Sequence, residues 1–147
     1  MSTMGDQSND LRDVIVILPE DAEAMLRTAV DSYSSGKLSH AETILAGLIA
    51  LKSDDARPVK LLASCMLLQQ RHREAEAMYE RALGLDADDP YTLVALAEIK
   101  LKALKVEEAI SLFERLFALD LGDESVEFLD PRAHPVGVLL QGTHHVW

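Results

Sequence analysis

The sequence predicts an all-α protein built from three tandem helical hairpins, and three observations carry that prediction. Two alanine columns repeat every 34 residues: Ala41, Ala75 and Ala109, with Ala29, Ala63 and Ala97 each twelve residues earlier. With so much alanine in the chain, a given column is all alanine by chance roughly 0.002 of the time, or about 0.06 across 34 columns, so two such columns are not an accident. Three apolar columns keep the same period: Leu45, Tyr79 and Phe113; Leu51, Leu85 and Leu119; Met25, Val59 and Leu93. Composition agrees. With 7 Gly, 5 Pro and 5% aromatics in 147 residues, turn residues are too few for a sandwich or barrel. At 48% hydrophobic and 27% charged, the chain still has a core to bury.

Taken in order, residues 1–21 form an extension whose first ten, polar positions are expected to be disordered. Leu11, Val14, Ile15, Val16, Ile17 and Leu18 make an apolar arm that Pro19 stops. Helical periodicity then places helices over 20–35 and 38–52, 56–70 and 72–86, 90–104 and 106–120, in units 22–55, 56–89 and 90–123. Pro19-Glu20-Asp21 opens the first helix with acids at the positive end of its dipole. Asp89-Pro90 supplies an N-cap followed by a first-turn proline, and Gly36 a turn between the first two helices. The alanines belong where two helices cross, because only a small side chain lets the backbones approach. Pro131, Pro135, Gly137 and Gly142 break up residues 124–147, which read as an irregular cap or tail with at most a short turn near 124–129. Leu112, Leu116 and Phe117 then need cover from Leu121, Val126, Phe128, Leu129, Val138-Leu139-Leu140 and Trp147, or from a second protomer.

These residues resemble the tetratricopeptide repeat, a 34-residue helix–turn–helix. The run Glu74-Ala75-Glu76-Ala77-Met78-Tyr79-Glu80-Arg81-Ala82-Leu83 is close to that family's second-helix pattern, and Glu108-Ala109-Ile110-Ser111-Leu112-Phe113 follows it. The family's early aromatic is replaced by Met25, Val59 and Leu93, its closing proline by Ser53, Ala87 and Leu121, and Gly36 has no glycine counterpart. The resemblance implies a short right-handed superhelix whose first helices line a concave wall. That wall would carry Leu26, Val30 and Tyr33, then Arg57, Lys60, Ser64 and Leu67, then Tyr91, Val94, Glu98 and Leu101. An apolar groove of this kind marks a partner site. The clamp with which some such domains grip a chaperone's carboxyl terminus needs asparagines, and the single asparagine here is Asn9.

A net charge of −11 argues against nucleic acid and anionic membrane as partners. Cys65, the lone cysteine, suits a reducing compartment and, amid leucines, a core position. The start is polar and without Lys or Arg up to Asp10, unlike a secretory leader, and no apolar run is long enough to span a bilayer. A cytoplasmic location follows. No P-loop, dinucleotide fingerprint, nucleophile elbow, zinc-protease helix or paired C-x-x-C is present, so no enzyme and no cofactor are expected. His134, His144 and His145 sit in the Gly/Pro-containing tail, where solvation is the simpler reading than a metal site; His40 and His72 begin second helices.

Three repeats, an apolar lead-in, acidity and the segment Leu26-Arg27-Thr28-Ala29-Val30-Asp31-Ser32-Tyr33 through Glu42 are similar to type III secretion chaperones of translocator proteins. That resemblance implies an extended hydrophobic client on Leu26, Val30, Tyr33, Leu67, Tyr91 and Val94, with Arg57, Lys60 and Leu101 completing the wall. It also implies a homodimer through Leu11 and Val14–Leu18, although the same arm could cap the first hairpin or occupy the groove. The competing function is a scaffold or assembly factor of a pilus, division or signalling complex. A metal-dependent enzyme built on the histidine tail is a remote third.

Overall fold

The computed structural model describes residues 18–119 as six helices, with no strand among them. They are α1 (Pro19–Ser34), α2 (Leu38–Leu51), α3 (Ala56–Leu68), α4 (His72–Leu85), α5 (Pro90–Lys102) and α6 (Val106–Phe117). All six expected helices are present. Each ends one to three residues early, and for the first helix of every hairpin the reason is the turn that follows. Gly36, Gln70 and Leu104, spaced by 34, all adopt a left-handed φ, of 77°, 63° and 62°. The next residue then donates its backbone N–H back across the turn: Lys37 to the Ser32 carbonyl at 2.8 Å, Arg71 to Met66 at 2.9 Å and Lys105 to Lys100 at 2.9 Å. This closure satisfies carbonyls the helix end would otherwise orphan. The glycine missing from repeats two and three therefore costs strain, not the turn.

Helix starts follow local chemistry. Asp55 caps α3 by accepting from the Arg57 N–H at 3.0 Å, and Asp89 caps α5 by accepting from the Thr92 N–H at 3.3 Å. Pro19 begins α1 after an extended Leu18, with Glu20 and Asp21 in its first turn. The second helices start after Lys37, Arg71 and Lys105 with no side-chain cap bond.

All six column alanines are fully buried. Two clusters form the core, one centred on the first two hairpins and the other on the last two, and Met66 and Met78 pack against both. Leu51 and Leu85 depart from the apolar columns. They are 44% and 40% exposed, each being the last residue of its helix. Ser64 is likewise buried inside its hairpin, its hydroxyl 2.9 Å from that of Tyr79. Leu112 and Leu116 are already buried in the second cluster, while Phe117 is 77% exposed. The arm 11–17, the tail 124–147 with its histidines, and the proposed covers from Leu121 onward lie outside the described residues.

Leu104 holds a left-handed conformation with its side chain 84% exposed, so nothing packed is lost when it is shortened. Leu104→Gly is therefore expected to raise stability by about 1 kcal/mol, read as an upward shift in the thermal midpoint. Ala75→Leu, at a crossing with no spare volume, should lower it by about 1–3 kcal/mol.

Candidate partner-binding groove

Helices α1 and α3 touch each other as well as their own partners, so these two first helices stand side by side. The 34-residue period then lays equivalent positions in rows across α1, α3 and α5: Glu23, Arg57, Tyr91; Leu26, Lys60, Val94; Val30, Ser64, Glu98; Tyr33, Leu67, Leu101. These rows contain every residue expected on the partner wall. Their exposure is uneven. Leu26, Tyr33, Leu67 and Val94 are buried, Val30, Arg57, Lys60 and Tyr91 are half-buried, and Leu101 is 42% exposed. Tyr33 and Leu26 sit in the first core cluster. Truncating Tyr33 would thus remove core packing whatever else it does, which spacing alone did not reveal.

Between α1, α2 and α3 the rows open into a cleft. Pro19, Ala22, Leu26, Leu48 and Pro58 supply apolar lining, and Glu23, Lys52, Asp55 and Arg57 the polar part. Arg57 is the hub. Its guanidinium ion-pairs with Glu23 across the repeat junction, donates from Nε to Asp55 Oδ1 at 3.1 Å and from Nη2 to Asp55 Oδ2 at 2.8 Å. Lys60 pairs with Asp89 Oδ2 at 3.2 Å, tying α3 to the residue that caps α5. The basic step read from the sequence is thus closed by acids. Glu23, Asp55 and Asp89 were not singled out beforehand as partners, though the 34-residue offset of Glu23 from Arg57 was a signal that could have found them.

The opposite ends of the first helices carry a second set of junction pairs. Arg71 meets Glu42 at 2.7 Å, and one period later Lys105 meets Glu76 at 3.1 Å. Lys100, nearly buried, is held by Glu76, Glu80 and Glu108. Burial alone would lower the Lys100 pKa, but hydrogen bonds to Glu108, Glu76 and Glu80 outweigh it and raise it. Burial pushes the Asp55 carboxyl up, but the hydrogen bonds from Arg57 prevail and hold it below its ordinary value. The hydrogen bond from Lys100 likewise holds Glu76 and Glu108 down. Burial, with the Glu42 charge nearby, pushes the Cys65 thiol up to about 12, where it is an inert core group. Among the described residues no cluster of His, Cys, Asp and Glu could hold a metal ion, and no helix is long and apolar enough to cross a membrane. His40 accepts or donates a 2.8 Å hydrogen bond with Ser32, and His72 a 3.1 Å bond with Gln70.

The arrangement has known counterparts. A family model described as tetratricopeptide repeat matches residues 66–127. No curated protein matches the chain. Among solved structures, the type III secretion chaperone SycD of Yersinia enterocolitica, in complex with a peptide of the translocator YopD, is 21% identical. It covers 88% of this chain and 98% of its own, with a TM-score of 0.66. PcrH from Pseudomonas aeruginosa is 23% identical over 90% of this chain and 99% of that one, at a TM-score of 0.70. PcrH in complex with the chaperone binding region of PopD is 25% identical over 90% and 99%, at 0.67. The fold is that of a tetratricopeptide-repeat array.

The depressed carboxylates fix the acid limb of stability. A group whose folded pKa lies below its unfolded one contributes above the unfolded value, and that contribution is lost as pH falls through the folded one. Stability should be level from neutrality to pH about 5 and fall below pH about 4, where Asp55, Glu76 and Glu108 take up protons. Urea midpoints across pH check this, and Asp55→Asn should flatten part of the acid limb.

Proposed function

We propose that this chain is a small non-catalytic chaperone of the type III secretion kind, acting in the cytoplasm. It holds an extended hydrophobic segment of a translocator-like client against α1, α3 and α5. The observation that supports this most is the likeness along nearly the full length of chaperones solved with translocator segments, of YopD in one case and PopD in another. The client wall is Leu26, Val30, Tyr33, Arg57, Lys60, Leu67, Tyr91, Val94 and Leu101. Of these, Leu101 and the half-buried Val30 and Tyr91 are the side chains best placed to meet a partner without unpacking the hairpins. The apolar arm, Leu11 and Val14–Leu18, is the contact for a homodimer. Leu18, its described end, is 49% exposed, as an arm leading to a partner requires. Units 22–55, 56–89 and 90–123 are the repeats, with residues 124–147 as an irregular cap or tail.

The test is direct binding of an apolar peptide of alternating Leu, Val and Ser to the intact chain, followed by fluorescence anisotropy. Tyr91→Ala is expected to weaken binding by about 1–3 kcal/mol and Leu101→Ala by about 1 kcal/mol. Leu101→Ala should leave the melting curve within about 0.5 kcal/mol of the parent, since its site is at the surface. A peptide that does not bind, or one whose affinity ignores both substitutions, overturns the groove. Deleting residues 1–18 should convert a dimer to a folded monomer by light scattering; unchanged mass would reassign the arm to a cap.

A further inference from the structure

The charges on the wall bear on which segments it accepts, an inference that rests on the binding reading above and specifies its occupant. Arg57 and Lys60 are the cations of the rows, and both are already held. Arg57 is shared between Glu23 and Asp55, and Lys60 is paired to Asp89 with only 14% of its side chain exposed. A client carboxylate could reach Arg57 only by displacing Glu23 or Asp55. It could reach Lys60 only beside Asp89, whose like charge opposes it, or by displacing Asp89, which also accepts the N–H of Thr92 that begins α5. Asp55 and Asp89 have side chains 18% and 8% exposed, so either would be stranded with little water. Glu23 differs. Both its carboxylate oxygens accept from Arg57, yet its side chain is 41% exposed, and it stands on the polar side of the cleft lined by Pro19, Ala22, Leu26, Leu48 and Pro58. Glu98, farther along α5, is the second acid of the rows, beside the two aspartates that hold their cations.

We propose that the groove selects by charge: it takes an extended apolar segment flanked by basic residues, seating an apolar side chain in the cleft beside Glu23. It turns away acidic segments and free chain carboxylates. A second copy of this acidic chain, or an acidic peptide, is a poor occupant on the same ground. An apolar segment flanked by lysine or arginine complements both the lining and the outward carboxylate.

The experiment uses the intact chain and three short peptides sharing one core of Leu, Val and Ser, flanked by Lys, by Ser or by Glu. Binding is read by anisotropy at low and high salt. The Lys-flanked peptide should bind about tenfold tighter than the Glu-flanked one at low salt, with the Ser-flanked peptide between, and salt should compress the series. Net charge alone would also favour lysine, so two variants separate local from global effects. Glu23→Gln should remove most of the preference, both by deleting the outward acid and by freeing part of Arg57. Glu107→Gln, the same charge change at an exposed position in the first turn of α6, should leave it in place. Equal affinity for all three peptides overturns charge selection while leaving the groove intact. An equal loss of preference in both variants overturns the assignment to Glu23. If the Ser-flanked peptide does not bind, the binding reading itself fails.

Discussion

Ala29, Ala41, Ala63, Ala75, Ala97 and Ala109 present no surface to solvent, and the close approach they allow within each hairpin sets the frame for every other contact. Beside these alanines, larger side chains such as Leu45 and Tyr79 are buried in the same two clusters. The residues on the far side of each first helix are then turned away from the hairpin partner. Both the core and the candidate groove follow from that one steric condition. A large side chain at any crossing would push the helices apart and rotate the rows of the wall out of register.

Stacking one hairpin on the next is a separate problem, and here charge supplements packing. Arg57 with Glu23, Arg71 with Glu42, and Lys105 with Glu76 join residues of neighbouring repeats, and Lys60 with Asp89 ties α3 to the cap of α5. Partly exposed pairs contribute little net stability, since each side chain gives up hydration and freedom to form them. Their value is positional. A hairpin slipped by one turn against its neighbour would take Lys100, nearly buried, away from Glu76 and Glu80 and leave it only Glu108 of its own hairpin, a far larger cost than the pairs return when correctly made. The same pairs neutralise the cations that face the groove, so the demands of stacking shape what the wall offers a partner.

The fold was legible because a 34-residue period is a property of residue identity and spacing. Ala75 and Ala109 announce their role without coordinates, as do Asp89-Pro90 at a helix start and Gly36 at a turn. The turns at Gln70 and Leu104 were not legible, since neither residue favours a left-handed backbone; tertiary closure of the hairpin imposes it. The wall was legible as a set of rows but not as a set of exposures. Spacing put Leu26, Tyr33, Leu67 and Val94 on the concave side, yet burial depends on how deeply neighbouring helices overlap, which is a distance between elements and not a feature of any one of them.

Sequence alone therefore determined the helical class, the three-hairpin count, the small residues at the crossings, the acidic character, and the rows from which a groove is made. These depend on local propensity and periodicity, which a chain carries wherever it is folded. Tertiary structure decided which carboxylates meet Arg57 and Lys60, which wall residues double as core, and where a cleft opens between α1, α2 and α3. Those outcomes come from side chains of different helices converging to within hydrogen-bonding distance, and no one-dimensional pattern encodes a convergence until the helices have packed.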